Sequence, residues 1–482
     1  MRITRREFVA AATATATAPR PFALAPSARK TVLVVGAGLA GLNAALRLTA
    51  RGFDVTLIEA RDRVGGRLHT RRDFKDAQWL DAGAQGGADS YKRLVAIAKD
   101  LNLRVATPLR ATAPPELLLH MKGRTFRSGE LAKDPSLNPY DLPDELKRVA
   151  PPLLASRYVG PVAARVEDRA AWIRPEWSAY DKKSLRVFLE ESGAPPGAID
   201  LISRSPNCNS IDTASALWAI RDAARFRLAG ANLQLSAAGG MDRVTQAMAA
   251  GLEGKIKLGL TLKKVTITAG GVRASVSPSG GSGDAGQIEA AHIVLAIPFS
   301  VLRDIDIGAD LSEGKRRAIR ELPYTQISKV YLQTKTRYFE ALGLGNVLWT
   351  DTPIERVFAS TPRESTSPRG LLHVWMDGES AIAIDKMAEA DRIPFVVDTL
   401  DRILPGTKDN VETAYFHSWG LDPYAKGAYC HFGVGQAAAL HPHIAHPEGR
   451  LHFAGEHTTT VEPGMEAALE SGERVTAEIA EA

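Results

Sequence analysis

The sequence feature that most constrains this fold is a glycine pattern that follows a short apolar run near the start of the chain. Thr31–Val35 is an unbroken stretch of mainly β-branched residues, which predicts a buried parallel strand. Gly36, Gly38 and Gly41 come next in the spacing G-x-G-x-x-G, where an alanine- and leucine-rich helix is predicted to begin. The first glycine permits a tight turn, the second lets a pyrophosphate approach the backbone, and the third lets the helix pack closely on the strand. The pattern therefore predicts a dinucleotide-binding turn.

An acidic residue lies where such a turn needs one. Asp54–Ile58 predicts the second strand, and Glu59 at its end is placed to bind the ribose hydroxyls of a dinucleotide. A carboxylate here disfavours a 2′-phosphate, so FAD or NAD is preferred over NADP. The alternative interpretation, a glycine-rich turn that binds nothing, is disfavoured because the strand, the helix and the acid have the required order.

A second glycine pair follows the second strand directly, as Arg-Val-Gly-Gly-Arg at positions 63–67. Gly66 gives another close backbone approach, and the flanking arginines supply a cation for the same pyrophosphate. The stretch from Glu59 and Arg61 through Arg67 resembles the flavin-containing amine oxidase family, which includes monoamine, polyamine and L-amino-acid oxidases. Carotenoid desaturases and protoporphyrinogen oxidases share this opening, so these residues indicate the cofactor, FAD, more firmly than they indicate the reaction.

The resemblance implies an α/β fold with two domains. A Rossmann-type FAD-binding domain is expected from residues 30–107, 235–298 and 449–482, and an α+β substrate-binding domain from residues 108–234 and 299–448. The length of 482 residues, 45% hydrophobic and 24% charged, is ordinary for a globular protein and leaves ample chain for two domains.

The basic charge of the chain is confined to its start. The first thirty residues carry six lysines and arginines against one glutamate, which accounts for the whole net charge of +5 and leaves the remainder formally neutral. No basic run with interleaved aromatic residues occurs in the body of the sequence, so a nucleic-acid partner is not expected.

The cysteine and histidine content gives no sign of a metal centre. Cys208 and Cys430 are the only cysteines and are interpreted as free thiols, although one disulfide stays open. His441, His443 and His446 cluster among prolines without a cysteine, which favours a solvated loop over a metal site.

Residues 1–29 have the pattern of an export leader. Thr4–Val9, with the pair Arg5-Arg6, resembles the twin-arginine signal, and a run of small residues with A-x-A cleavage candidates follows. The alternative is a disordered tail with two chance arginines. The twin-arginine translocation machinery carries folded cargo, which suits an enzyme loaded with FAD in the cytoplasm and destined for the periplasm or the exterior. No other apolar stretch approaches about 18 residues, so no stable membrane anchor is expected.

Three stretches in the middle of the chain resemble family segments that lie near the cofactor. Gly83 and Ala84 match a glycine-bearing loop that passes the isoalloxazine ring, and Val265 matches a valine whose backbone faces the adenine. Lys329, on a strand predicted around Ser328–Leu332, matches a catalytic lysine that holds a water against the reactive flavin nitrogen. An ammonium there stabilises negative charge on the reduced flavin and steers dioxygen reduction. Without the surrounding motifs, a surface lysine would be the preferred interpretation.

The segment from Trp419 to Tyr429 resembles the family's Trp…Asp-Pro…Gly-x-Tyr pattern. Tyr429 matches one wall of the aromatic cage that orients the amine before the flavin, a catalytic role suited to the ring quadrupole. Ala428 stands where covalent monoamine oxidases have a flavin-linked cysteine. The resemblance therefore implies that FAD is bound non-covalently.

The last cofactor motif lies near the C-terminus. Gly455 and Glu456 match the family's closing turn, with Glu456 near the ribityl and pyrophosphate region. Gly464 and Met465 open the final helix, whose N-terminus would face the pyrimidine end of the flavin, with a backbone N–H from Met465. The second cage aromatic of monoamine oxidases aligns with Gly464, so the cage is half open or is closed by another aromatic residue.

The expected function is oxidation of a C–N bond in an amine to an imine, which water hydrolyses, with reduced FAD reoxidised by dioxygen or another acceptor. An L-amino-acid oxidase is the nearest alternative, although the arginine of that subfamily aligns with Gly86; Arg221 or Arg225 could replace it. A desaturase or protoporphyrinogen-type oxidase would not explain Lys329 with Tyr429. A flavin-binding protein without turnover is the remaining alternative.

Overall fold

The computed structural model shows a mixed α/β fold built around two large sheets. It describes residues 30–85, 87–88, 91–103, 105–106, 116–228, 232–233, 236–237, 239–281, 283, 286–308, 311–361 and 365–482. The predicted leader at residues 1–29 and the aligned position Gly86 lie outside the described residues.

A five-stranded parallel sheet forms the base of the cofactor-binding part. Its strands, in spatial order, are Ile256–Lys257, Asp54–Ile58, Thr31–Val35, His292–Leu295 and Leu451–Phe453. They come from all three chain segments expected to build the FAD-binding domain, and the two strands predicted at its start have the predicted bounds.

Two helices, Leu39–Ala50 and Gly464–Glu481, pack against each other beside this sheet. They approach closely because Gly472 has no side chain: a Cβ there would lie 2.8 Å from the Ala40 carbonyl oxygen. The amide of Asn43 donates to the Leu469 carbonyl at 2.6 Å, which fixes the first and last helices of the described chain against each other.

A four-stranded sheet extends from the same part of the molecule. Its strands, in order, are Gly286–Ala290, Gly271–Pro278, Leu260–Thr268 and Asp306–Ile307. The last of these pairs in parallel with Leu260–Thr268, so the sheet includes residues beyond the predicted domain boundary at residue 298.

A seven-stranded mixed sheet organises the rest of the chain. Its strands, in order, are Val411–Ser418, Ile327–Thr334, Gly370–Asp377, Arg356–Ala359, Val347–Thr350, Leu118–Met121 and Arg124–Arg127. All seven lie in segments predicted for the substrate-binding domain. Ile327–Thr334 is buried at every position, so both of its faces are covered.

Short ladders and helices complete the described structure. The two-residue ladders pair Thr70–Arg71 with Leu80–Asp81, Gly87–Ala88 with Asn232–Leu233, and Val105–Ala106 with Ser236–Ala237. The remaining α-helices are Lys92–Asp100, Ser128–Lys133, Asp144–Lys147, Pro151–Ala163, Ser178–Asp181, Leu185–Glu191, Pro196–Ser203, Ala216–Leu228, Asp242–Ala250, Phe299–Leu302, Glu313–Glu321, Tyr338–Ala341, Gly378–Asp385, Glu389–Ile403, Thr407–Asn410 and Gln436–Ile444. Within the described part of the chain, no helix combines the length and apolarity needed to cross a membrane.

Candidate active site

A long cavity opens at the carboxyl ends of the strands Thr31–Val35 and Asp54–Ile58, the usual position of ligands in open parallel sheets. Its volume is about 1180 Å³ when the space open to solvent at its mouth is included. Its lining comes from Ala84 and from positions within 35–40, 58–68, 260–262, 296–305, 424–429 and 455–468. One cavity therefore joins the first glycine motif to Tyr429 and the last helix.

Each of the three positions in the first motif requires glycine for a different structural reason. Gly36 has φ +102°, and a Cβ there would lie 2.7 Å from the Ala296 carbonyl oxygen. A Cβ at Gly41 would lie 1.9 Å from the Gly36 carbonyl oxygen, so the helix and the turn touch through backbone. Among the described residues, nothing lies within 4 Å of a Cβ at Gly38, which lines the cavity at the helix N-terminus. Gly38 thus leaves open the space that a pyrophosphate requires.

Glu59 is fixed at the end of its strand with its carboxylate beside the cavity. Its two oxygens accept backbone hydrogen bonds from Ala37, at 2.8 Å, and from Arg61, at 2.9 Å. The side chain is buried yet lines the cavity, as expected for a residue that binds ribose hydroxyls.

The arginines around the second glycine pair have separate partners. Arg61 donates to both oxygens of Asp422, at 2.7 and 2.8 Å. Arg67 donates to Glu456 Oε1 at 3.0 Å and to the Ala428 carbonyl at 2.6 Å. Arg61 and Arg67 both line the cavity, so each cation holds an acidic or carbonyl group of the C-terminal half against the cofactor-binding half.

The structure brings most predicted cofactor-binding residues to this cavity. The lining includes Gly36, Gly38, Glu59, Arg61, Gly66, Arg67, Ala84, Gly455, Glu456, Gly464 and Met465. Gly41, Gly83 and Trp419 lie behind it. A Cβ at Gly83 would lie 2.0 Å from the Arg67 carbonyl oxygen, and the Trp419 indole donates to the Ala82 carbonyl at 3.1 Å. These residues support the wall rather than form its surface.

Val265 is not among the residues that line the cavity, and the prediction that its backbone faces the adenine stays a prediction. Its side chain is fully buried in the core, and the cavity is lined instead by Leu260, Thr261 and Leu262. The ladder with the neighbouring strand shifts register between Leu262 and Lys264, a bulge that interrupts the alternation of faces along the strand.

Lys329 lies behind the cavity wall, with 1% of its surface exposed. Its ammonium donates to the carbonyl oxygens of Ala82 and Gly83, at 3.2 and 3.3 Å, and lies 4.2 Å from the ring centroid of Trp375. Burial lowers the pKa of Lys329 to about 7, and the charge of Asp81 opposes that shift only in part. The ammonium is thus bonded to Gly83, the residue that directly precedes Ala84 in the sequence, and Ala84 lines the cavity.

Tyr429 lines the cavity, and its hydroxyl donates to the Asn207 carbonyl at 3.2 Å. Burial raises the pKa of Tyr429 well above its ordinary value, so the hydroxyl keeps its proton. At Gly464, with φ +58°, a Cβ would lie 3.0 Å from the hydroxyl of Tyr91. Tyr91 therefore occupies part of the space beside Gly464, and no pattern in the sequence pointed to it.

The Ala216–Leu228 helix carries Arg221, a cation that forms no ion pair with a described carboxylate. The guanidinium of Arg221 lies 4.6 Å from the ring centroid of Trp172 and makes a 3.4 Å hydrogen bond with the Thr460 carbonyl. Within the described residues, no carboxylate forms an ion pair with Arg221, and its Nε has no acceptor. Arg225, by contrast, pairs with Asp222.

The donor set and the shape of the cavity fit FAD. The open space at Gly38, the fixed carboxylate of Glu59 and the N-terminus of the helix Leu39–Ala50 all border the cavity. Met465, in the first turn of the last helix, and Tyr429 line the same cavity. Gly38 and the helix N-terminus would hold the pyrophosphate, Glu59 would hold the ribose, and Met465 and Tyr429 would contact the flavin.

Acid precipitation of the purified protein is expected to release all of the yellow flavin to the supernatant. Ala428 offers no nucleophile, and the nearby thiol of Cys430 donates to Glu456 Oε2 at 3.5 Å. Burial raises the pKa of Cys430 well above its usual value, which keeps this thiol protonated and a weak nucleophile. Flavin absorbance that stays with the washed protein pellet would contradict this prediction.

Comparisons with known proteins agree with the geometry. A family model described as flavin containing amine oxidoreductase matches residues 39–480. The putative L-amino-acid oxidase YobN of Bacillus subtilis (strain 168) is 29% identical over 463 residues, which cover 93% of this chain and 94% of that protein. The L-amino-acid oxidase of Pseudechis australis is 26% identical over 453 residues, covering 92% of this chain and 85% of that protein.

Solved structures show the same fold. A putrescine oxidase bound to putrescine matches with a TM-score of 0.76 at 23% identity, and 94% of this chain aligns with 99% of that chain. A cyclohexylamine oxidase from Brevibacterium oxydans IH-35A matches with a TM-score of 0.76 at 20% identity and the same coverage.

Proposed function

This chain belongs to the flavin-containing amine oxidoreductase family, and we propose that it oxidises a C–N bond of a small amine to an imine with non-covalent FAD. Bound FAD supplies two-electron redox chemistry, and the imine is hydrolysed by water. The observation that carries the proposal is the single cavity that joins the Gly38 and Glu59 cradle to the ring of Tyr429. A binding turn alone would account for the cofactor but not for an aromatic wall in the same cavity.

The side chains of this site bind and orient rather than react. The Tyr429 ring presents a face that favours an amine nitrogen, and its hydroxyl is held by the Asn207 carbonyl. The apolar part of the lining, from Leu39 to Ala468, excludes water from the reacting carbon. The electron acceptor that completes turnover is dioxygen or another oxidant.

A second candidate is an L-amino-acid oxidase, and Arg221 is the observation that favours it. A partly buried guanidinium that forms no ion pair with any described carboxylate can bind a substrate carboxylate, and the relatives described above are L-amino-acid oxidases by name. This second proposal needs Arg221 to reach a substrate in the cavity. The first proposal does not use Arg221.

Turnover with two matched panels separates the candidates. Primary and secondary amines form one panel and L-amino acids the other, with an artificial electron acceptor and with released ammonia or aldehyde measured. Turnover of amines supports the proposed function. Turnover confined to L-amino acids, with KM raised in Arg221→Gln but not in Arg225→Gln, would instead establish the second candidate.

We further propose that the protein is exported, folded, to the periplasm or the exterior by the twin-arginine route. The Arg5-Arg6 pair in the leader supports this. The residues that line the cavity extend from Val35 to Ala468 in the sequence. The site for FAD is therefore complete only after these distant segments have folded together.

Arg5→Lys combined with Arg6→Lys is expected to leave active, FAD-loaded protein in the cytoplasm, because the paired arginines are the recognised feature of the leader. Cell fractionation followed by flavin fluorescence and activity measures the distribution. The control is a variant with Lys30→Arg, outside the leader. Unchanged extracytoplasmic activity in the double variant would contradict the route.

A further inference from the structure

The structure points to Arg356 as a positioning residue for the amine site, and we propose that it holds Tyr429 in place through Asn207. The Tyr429 hydroxyl donates to the Asn207 carbonyl at 3.2 Å. The side-chain oxygen of Asn207 accepts in turn from Arg356 Nη1 at 3.0 Å. We call Tyr429, Asn207, Arg356, Asp377 and Glu355 the Arg356 network. The inference rests on the proposed function only in taking Tyr429 as a wall of the amine site.

The far side of the network is a buried acidic pair. Arg356 Nη2 is hydrogen-bonded to Asp377, and Glu355 Oε1 accepts from the Asp377 backbone at 3.1 Å. The side chains of Asp377 and Glu355 are 0% and 1% exposed, while Arg356 is 16% exposed. Burial and the adjacent Asp377 raise the pKa of Glu355 well above its ordinary value, and burial also raises the pKa of Asp377. Arg356 is the cation beside both carboxyl groups. The guanidinium is therefore anchored from behind and presents its other edge to Asn207.

Two of the seven described non-glycine residues with positive φ belong to the Arg356 network, on either side of Arg356. Asn207 has φ +56° and Glu355 has φ +51°, a left-handed region that residues with a Cβ enter at a cost. Glu355 is held there by a tight turn, since its carbonyl accepts from Thr350 at 2.7 Å and its amide donates to Thr352 at 3.0 Å. Strain of this kind persists where the surrounding structure fixes it, commonly at functional sites.

Arg356 also shares an aromatic neighbour with Lys329. The guanidinium lies 5.6 Å and the Lys329 ammonium 4.2 Å from the ring centroid of Trp375, and Trp375 packs in the same small cluster as Tyr429. An ion pair whose only role was stability would not need a hydrogen-bonded link to the cavity wall. The link through Asn207 is the feature that assigns a positioning role.

The direct readout is the environment of Tyr429, measured by 19F NMR with 3-fluorotyrosine incorporated at this position in the FAD-loaded protein. Arg356→Gln removes the cation, and Asn207→Gly removes only the amide acceptor while suiting the left-handed backbone. We expect both variants to shift and broaden the resonance. The control is Arg369→Gln, which removes ion pairs with Asp76 and Glu412. Arg369 precedes the strand Gly370–Asp377, and Asp377 of the network lies at the other end of that strand, roughly 23 Å along it.

A double-mutant cycle supplies the kinetic readout. Arg356→Gln should slow anaerobic flavin reduction by an amine at least about tenfold, the scale of a misplaced contact group. In the Tyr429→Phe background, where the hydroxyl is gone, it should slow reduction by less than about twofold more. Effects that multiply fully in the double variant would overturn the inference.

The two proposals fail separately. If no amine reduces the wild-type flavin but the resonance of Tyr429 changes in both network variants and not in Arg369→Gln, the positioning role stands and the proposed function fails. If the resonance is the same in wild type, Arg356→Gln and Asn207→Gly, the inference is wrong whatever the substrate. Should Arg356→Gln not fold, Asn207→Gly alone decides it.

Discussion

Gly38→Val is expected to abolish FAD binding while the protein still folds. The backbone of Gly38 has φ −78°, which any residue adopts, and within the described structure nothing lies within 4 Å of a Cβ there. The valine side chain would therefore project into space that the cofactor needs and not into protein. We expect FAD affinity to fall at least about 100-fold, or about 2.7 kcal/mol.

The measurement is the flavin-to-protein absorbance ratio of the purified variant, together with its far-UV circular dichroism. Gly41→Ala is the matched comparison, because a Cβ there would lie 1.9 Å from the Gly36 carbonyl oxygen. That variant should lose thermal stability, on the scale of about 1–3 kcal/mol or more for overpacking. A Gly38→Val protein with a wild-type content of FAD would show that the cavity at Gly38 is not the pyrophosphate site.

Lys329→Met is expected to slow reoxidation of reduced FAD by dioxygen much more than it weakens substrate binding. The ammonium is fully buried one residue behind the cavity wall, so its charge acts through a poorly screened interior. Methionine keeps the apolar stem and removes the charge, so the packing loss should be small. We expect a decrease of at least about tenfold, which corresponds to about 1.4 kcal/mol of lost charge stabilisation.

Stopped-flow mixing of anaerobically reduced protein with dioxygen measures this rate. Burial lowers the pKa of Lys329 to about 7, so its charged fraction falls as pH rises through that value. Wild-type reoxidation should therefore slow with rising pH, whereas Lys329→Met should lack this dependence. Equal reoxidation rates in the two proteins, at equal FAD content, would reduce Lys329 to a structural residue.

Local patterns predicted the start of the fold well. Thr31–Val35 and Asp54–Ile58 have the bounds that the sequence indicated, because most of their residues are buried in a parallel sheet. The prediction of a solvated loop for the histidine-rich stretch was wrong. His441 and His443 lie in the helix Gln436–Ile444, and His441 is hydrogen-bonded to Thr460. A proline within the stretch suggested a loop, but tertiary contacts stabilise the helix around it.

The parts of the site that sequence could not predict depend on long-range contacts or on local irregularities. Between Leu262 and Lys264 a bulge that no residue pattern indicates shifts the register, and Leu260, Thr261 and Leu262 rather than Val265 line the cavity. Arg356 and Asn207 are 149 positions apart, and Asn207 and Tyr429 are 222 positions apart, so only the assembled fold shows that they touch. The same holds for Tyr91 beside Gly464.

The most direct test of the central claim is an anaerobic titration of the FAD-loaded protein with single amines, followed by flavin absorbance. We expect at least one amine to bleach the flavin completely, with one equivalent of aldehyde or ketone formed per FAD reduced. Oxidised absorbance that stays unchanged with every amine, in protein whose flavin dithionite still reduces, would contradict it.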